Sequence, residues 1–396
     1  MNKKIIIVFT FVIALFAFFL LYQPSQTHTP PDNNKATPDS GSTPTLGSPM
    51  PIDLSINSEF NISLFAKDLT NPRDLQFTPN GTLLVSSPNS NSVYALPDTN
   101  KDGIADTTET IISGENHAHG LAFYNNQLFI ADVDKVVRYR WDETTLTATR
   151  EKVLFSLPQN SNHNARTIIF DKQGKMYVSV GSTCNVCSES SPQSAAILIS
   201  DQDGNNPHIY ASGLRNAPFL TFNPGSQELW ATEMGRDNLG DNIPPDEINI
   251  IKEGANYGWP YCYGDKVHDT NFDPSNSRNC DKTISPIFHL PAHSAPLGLT
   301  FINSSQFPSS WQGDLLVALH GSWNRTTPIG YKIVHLKVDG SAILSSNDFV
   351  TGFLPTGANI GPSSAYGRPA DLTFDTSGNL YISDDKAGNI YLVSKK

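Results

Sequence analysis

Charged and polar side chains gather around alternating stretches between residues 212 and 261, SGLRNAPFLTFNPGSQELWATEMGRDNLGDNIPPDEINIIKEGANYGWPY. Arg215 and Asn216 stand just ahead of the hairpin-like LTFNPGSQELWAT. The acid- and glycine-rich EMGRDNLGD follows it, then the strand-like EINII and the aromatic turn NYGWP. A guanidinium beside an amide can hold a planar anion and steady negative charge as it develops. The same pair also closes ordinary strand-entry turns, so its chemistry depends on what is brought opposite. His163, in NSNHNARTIIF, is a residue type suited to taking a proton near neutral pH, although an isolated loop histidine usually does no chemistry.

What could bring these groups together is a repeat. An apolar-x-Phe unit, a turn and a short alternating strand recur as LQFTPNGTLLVS (75–86), LAFYNNQLFIA (121–131), IIFDKQGKMYVS (168–179), LTFNPGSQELWAT (220–232), LTFINSSQFPSSWQGDLLVAL (299–319) and LTFDTSGNLYIS (372–383). Second runs follow them: SVYAL, KVVRYR, AILIS, EINII, YKIVHL and NIYLV. Period-two alternation bounded by Gly, Asn and Asp marks strands and hairpins. Units of roughly fifty residues built this way predict an all-β, six-bladed β-propeller over 57–396, preferred to a solenoid. The strand ISLFAKDL is expected to complete the last blade and close the ring. No substantial helix is needed.

If each repeat starts with the innermost strand, the residues before it surround one mouth of the central channel. Those residues are Arg73, His119, His163 with Arg166, Arg215 with Asn216, His293 and Arg368. The loops returning to that mouth carry GSTCNVC, EMGRDNLGD and HGSWNR. Some of these cations are expected to pair with acids such as Asp74 or Asp371. So many in a chain of net charge −11 still point to a small anionic ligand. The same net charge argues against nucleic acid and anionic membrane surfaces as partners.

Ahead of the propeller, MNKK is followed by an uncharged apolar run over 5–22, roughly 27 Å long as a helix. Residues 1–22 are therefore read as a signal-anchor, with Lys3 and Lys4 cytoplasmic and the propeller extracytoplasmic at the cell membrane. A cleaved signal peptide, giving a secreted protein, is the alternative. Residues 23–56, with Pro24, Pro30, Pro31, Pro38, Pro44 and Pro49 among polar residues, read as a disordered linker. Outside the cell, Cys184, Cys187, Cys262 and Cys280 are best read as two bridges, 184–187 and 262–280. The spacing of Cys184 and Cys187 also suits a redox pair or a zinc half-site. Haem attachment is excluded by Ser188.

DTNKDGIADTTE (98–109) matches the calcium-loop pattern, with Asp98, Asn100, Asp102, Gly103, Asp106 and Glu109 in position. Without flanking helices it is either an isolated structural calcium loop or a polar turn that matches by chance.

Together RNAPFLTF, MGRD, LGD, PPDEIN, NYGWPYC, CNVC, HGSWNRTTPIGY and GRPADL resemble the sorbosone dehydrogenase branch of the soluble glucose and aldose sugar dehydrogenases, over 57–396. That family consists of six-bladed propellers that bind pyrroloquinoline quinone (PQQ) and calcium. The resemblance implies hydride transfer from an aldose or sorbosone-like aldehyde hydrate to the quinone, with an electron acceptor that it does not identify. It implies His163 as the base, although one residue fewer separates it from the following arginine than in the glucose enzymes. Arg215 is implied as the contact to the quinone oxygen, Asn216 as its polar partner, and Arg368 as a hold on a PQQ carboxylate. A second carboxylate-binding arginine is replaced here by Ala370, and His320 and Arg325 are expected to compensate. Calcium is implied at the carbonyls of Gly235 and Arg236, where Arg236 replaces a proline, with Asp237 and Asp241 available to balance its charge. Asp246 and Glu247 are read as structural, and Tyr257 and Trp259 as a packed corner.

Two other readings compete. A calcium-dependent, lactonase-like hydrolase on the same fold requires carboxylates converging on the axis. A non-catalytic glycan- or protein-binding propeller requires a decayed site.

Overall fold

The computed structural model describes residues 47, 48, 50, 52–159, 162–357 and 360–396. The proposed anchor and most of the linker lie outside these residues. Among the described residues no helix is long and apolar enough to cross a membrane.

Each repeat forms an antiparallel sheet, and the six sheets make the blades of a propeller; five have four strands and one has five. The blades start with the inner strands Leu75–Phe77, Gly120–Tyr124, Ile168–Phe170, Leu220–Phe222, Pro296–Phe301 and Pro369–Phe374. The only helical segments among the described residues are single 3-10 turns. The expected closure is present: Phe60–Ala66 pairs with Asn389–Lys395, so the chain's first long strand completes its last blade.

Alternation alone understates how deeply the second strands are buried. Leu83–Ser87, Leu229–Glu233, Leu315–Leu319 and Leu380–Asp384 are buried at every position, because each is covered by a neighbouring blade on both faces. The long outer strands Thr147–Ser156 and Ala342–Thr351 are mostly exposed. Among the described residues the core divides into six clusters, each lying between two adjacent blades. Polar ties bind the inner strands together: Asp371 accepts the Leu75 N–H at 2.9 Å, and Asp74 accepts the Leu121 N–H at 2.6 Å. These two aspartates thus bind the next blade's backbone rather than serving as partners for the mouth arginines.

Ordered pairing begins before residue 57. Ser55–Ile56 pairs with Thr351 and Val350 as the fifth strand of its blade, and Ser48 bridges Leu64. The end of the Pro-rich stretch therefore belongs to the propeller, where the backbone pairing of 55–56 outweighs its loop-like composition. In the fourth blade the outer strand, Phe288–Leu290, follows an insertion that contains the ribbon Cys262–Tyr263/Val267–His268. Both expected disulfides are present, Cys184–Cys187 and Cys262–Cys280.

Candidate active site

The pre-strand segments and returning loops meet around a cavity of about 500 Å³. Arg73, His163, Arg215, Asn216, His293, His320 and Arg368 line it together with Asn164, Asp237, Asp246, Trp323 and Asn324. His119 and Arg166 do not. Burial places them behind the wall, where Arg166 donates to the carbonyls of Pro158, His163 and Ala165 and His119 Nδ1 meets the Arg166 carbonyl.

His163 is held in a defined tautomer. Its Nδ1 lies 3.1 Å from Ser182 O and 2.8 Å from Ser182 Oγ. The carbonyl can only accept, and the Ser182 hydroxyl proton goes to Cys184 O at 2.6 Å. Nδ1 therefore carries the ring proton and Nε2 the lone pair. Burial, reinforced by the Arg215 charge, lowers the imidazole pKa to about 3. An unfolded-state histidine titrates near about 6.5. Because the folded value is lower, the unfolded chain binds more protons between these values, and this group's contribution to stability falls as pH drops through that window. We expect the His163 Cε1–H resonance to stay flat from pH 8 to 5. A titration centred near pH 6.5 would contradict this burial.

Arg215 is buried, which lowers its pKa. Its Nε donates to Asn185 O, Nη1 to Met234 O and Gly235 O, and Nη2 to Asn185 Oδ1 and Asp237 Oδ2. These bonds engage every N–H of the guanidinium, so Arg215 acts in the wall as a fixed positive charge. Arg368 differs. Its Nε and Nη2 donate to the carbonyls of His320 and Gly321, and it lies over the Tyr331 ring at 5.2 Å. No carboxylate among the described residues forms an ion pair with it, although Arg73, Arg215 and Arg236 each have one. A half-buried cation held only by neutral groups is a ready partner for an anion.

The remaining expected residues separate. His320 lines the cavity, but its Nε2 is 2.9 Å from Asp385 Oδ1. Burial opposes ionisation of Asp385, yet His320 and Arg73 outweigh it and hold the carboxyl well below its ordinary range. Arg325 does not line the cavity, contrary to expectation: it bonds the Asp241 and Ala292 carbonyls and Asn242, bracing one loop against another. The Arg236 side chain also leaves the cavity, to pair with Asp269 at 2.8 Å. Ala370 is fully buried in the core between two blades, so this position offers the cavity no side chain. Arg73, half-buried and lining the cavity, is the additional guanidinium there.

Asp246 accepts the backbone N–H groups of Gly235 and Ala295 at 2.9 and 2.8 Å, and burial raises its pKa to about 7. Tyr257 is the expected packed corner, buried with its hydroxyl donating to Ile250 O at 2.6 Å. In the 98–109 loop the acid groups bond their own loop: Asp98 accepts from Asp102 and Gly103, Asp106 from Thr99, and Glu109 from Thr107. Asn100 likewise accepts the Asp102 N–H.

Two observations bear on what the cavity could hold. The amide oxygens of Asn164, Asn216 and Asn324 are buried along its wall without hydrogen-bond partners among the described residues. Buried polar atoms are normally paired, so these suit a polar ligand. Second, among the described residues the sets of three or more His, Cys, Asp or Glu ligand atoms close enough to share a metal lie at the two disulfides, none in the cavity. Such convergence is what the hydrolase reading requires. Trp323, 63% exposed beside the opening, and Asn324 lie in the HGSWNR loop expected at the mouth but were given no role of their own, and Asn164 was not singled out, because nothing in a lone Trp or Asn signals a ligand contact.

The model of the TrAA12-like family matches residues 54–396. An uncharacterized protein of Borreliella burgdorferi is 32% identical over 357 residues, covering 86% of this chain and 90% of that one. A pyrroloquinoline quinone-dependent pyranose dehydrogenase of Coprinopsis cinerea is 24% identical over 413 residues, covering 88% of this chain but only 56% of its own length. Among solved structures, the holo form of the pyranose dehydrogenase PQQ domain from Coprinopsis cinerea superposes with a TM-score of 0.75 at 21% identity, covering 89% of this chain and all of that one. The calcium structure of a Trichoderma reesei carbohydrate-active enzyme of family AA12 gives 0.74 at 23% identity, covering 88% of this chain and 98% of that one. At these identities the structural likeness establishes the six-bladed fold.

Proposed function

The chain belongs to the TrAA12-like family, and from that premise we propose that it is a PQQ-dependent dehydrogenase oxidising an aldose or a sorbosone-like aldehyde hydrate. The observation that carries this reading is one cavity in which a neutral, tautomer-defined His163 faces the same space as Arg215, Asn216 and an Arg368 without an acid partner among the described residues. The cavity volume lies within the range of about 300–1,000 Å³ usual for small-molecule sites. PQQ, when bound, would supply the acceptor for a hydride, the carbon-bound hydrogen with its two electrons, from the sugar carbon that bears the hydroxyl. Its carboxylates suit Arg368 and Arg73, and the amide groups of Asn164, Asn216 and Asn324 suit its polar edge. His163 takes the hydroxyl proton at Nε2, the ring nitrogen that does not carry the proton held at Ser182. Arg215 places a fixed positive charge in the wall against which negative charge can develop.

Calcium at Gly235 is part of the same proposal. Arg215 uses one lone pair of that carbonyl, a second remains, and Asp237 and Asp246 line the wall nearby. Among the described residues the hydrolase alternative has no carboxylate cluster in the cavity to support it. Placement outside the cytoplasm, by the apolar segment 5–22, is also a proposal, consistent with two disulfides. Release of the protein by alkaline carbonate washing of membranes would count against the anchor.

Titration with PQQ in the presence of calcium tests the cofactor site. We expect saturable binding in the wild type and affinity about 10–100-fold weaker in Arg368→Ala, the scale of a lost charge-assisted hydrogen bond. A calcium chelator should weaken binding as well. Equal affinity in wild type and Arg368→Ala would remove Arg368 from the site.

A further inference from the structure

Asn185 makes an unusual set of contacts for a residue in a short loop. Its carbonyl accepts Arg215 Nε–H at 2.9 Å, and its Oδ1 accepts Arg215 Nη2–H at 2.9 Å and the Asp237 N–H at 2.8 Å. Its Nδ2 donates to Asp237 O at 3.2 Å, and Trp259 Nε1 donates to its carbonyl at 3.4 Å. Main-chain and side-chain oxygens of one residue thus grip two nitrogens, Nε and Nη2, of the same guanidinium. Asp237, which closes the remaining side, is itself held by Asn185 and by Asn324 Nδ2 at 2.7 Å. The residue doing this sits between Cys184 and Cys187, whose disulfide closes a ring with a sequence separation of 3.

We propose that Asn185, presented by the Cys184–Cys187 ring, is the positioning residue that sets the Arg215 guanidinium in the wall of the cavity. The proposal rests on the reading of that cavity as a cofactor site. A long arginine side chain has many rotamers, and its value as a preorganised charge depends on being confined to one of them. Arg215 has no intrinsic reason to lie flat in the wall. Gly235 and Met234 offer only carbonyls, both to Nη1, whereas Asn185 approaches from a different blade and engages both Nε and Nη2. The small ring explains how one loop residue can do this: the bridge across 184–187 restricts the backbone that carries the Asn185 carbonyl. On this view the CNVC segment acts on the site through the residue between its cysteines.

The test uses two readouts on the whole protein. In protein labelled with 15N-arginine, the Arg215 Nη2–H signal, whose acceptor is Asn185 Oδ1, is identified by its loss in Arg215→Lys and followed by hydrogen exchange without any cofactor. Asn185→Ala should speed that exchange on the order of tenfold or more, and Asn185→Asp, which keeps the Oδ1 acceptor, should retain most of the protection. PQQ titration then forms a double-mutant cycle with Arg215→Met. Asn185→Ala should weaken PQQ about tenfold in the wild-type background and hardly at all when Arg215 is gone. Unchanged Nη2–H exchange in Asn185→Ala, or an equal affinity loss in both backgrounds, overturns the proposal. If the wild type fails to bind PQQ, the functional reading fails, while the exchange measurement still decides the role of Asn185. If Arg215→Met does not fold, the exchange measurement again decides.

Discussion

His163→Ala lowers kcat by about 10²–10⁴-fold while PQQ affinity stays at the wild-type level; that is the expected result, and its scale is that of a lost general base. Three features lead to it. The Nδ1 proton is committed to Ser182, so the lone pair lies on Nε2. Burial keeps the ring neutral far below physiological pH. The cations suited to holding a carboxylate, Arg368 and Arg73, act through groups other than His163. Close packing also places the ring: a Cβ built on Gly181 would lie 2.5 Å from His163 Cβ, so even Gly181→Ala must displace the histidine. Dye-coupled turnover at saturating sugar, with a PQQ titration beside it, separates the two effects. A kcat unaffected by the substitution would take His163 out of the mechanism.

Phe60→Ala is expected to cost about 3–5 kcal/mol of stability, the range for losing a fully buried aromatic ring. Phe60 begins the strand that closes the ring of blades, and it is 1% exposed. Its ring lies 4.6 Å from Phe307 and meets Phe349 edge-on at 5.5 Å, both from the preceding blade. The substitution therefore opens a cavity between the fifth and sixth blades, under the strand through which the two ends of the propeller chain join. An open-ended ring would leave apolar blade faces in water, so closure and core stability are linked here. The midpoint of urea unfolding should fall markedly. An unchanged midpoint would show that the closing strand contributes little.

Most of the architecture was readable because a propeller repeats itself. Six copies of apolar-x-Phe, turn and strand gave the blades, and the leftover strand ISLFAKDL could only be the missing edge. The start of the ordered domain was less readable, since Ser55–Ile56 pairs with a strand nearly three hundred residues later and has no periodicity of its own. For the site, placing residues just ahead of inner strands located His163, Arg215, Asn216, His293 and Arg368 around one cavity. That rule says where a residue starts and nothing about where a long side chain ends. Arg325 and Arg236 are both near the mouth in sequence terms, yet each reaches a partner on another loop, Asp241 and Asp269 respectively. His320 lines the cavity while its imidazole is engaged by Asp385, which no local motif connects to it. Asn185 was hidden in a motif read for its cysteines, and its hydrogen bonds to Arg215 span thirty residues.

The central claim, that this cavity oxidises a sugar through a bound quinone with His163 as the base, is tested most directly by a single-turnover experiment. Protein loaded with PQQ and calcium is mixed anaerobically with a panel of aldoses and sorbosone while the bound cofactor's absorbance is followed. The account predicts that at least one sugar reduces the cofactor stoichiometrically in the wild type, and that the same change is slowed about 10²-fold or more in His163→Ala. Bound cofactor that no sugar reduces, or reduction at an equal rate in both proteins, would contradict it.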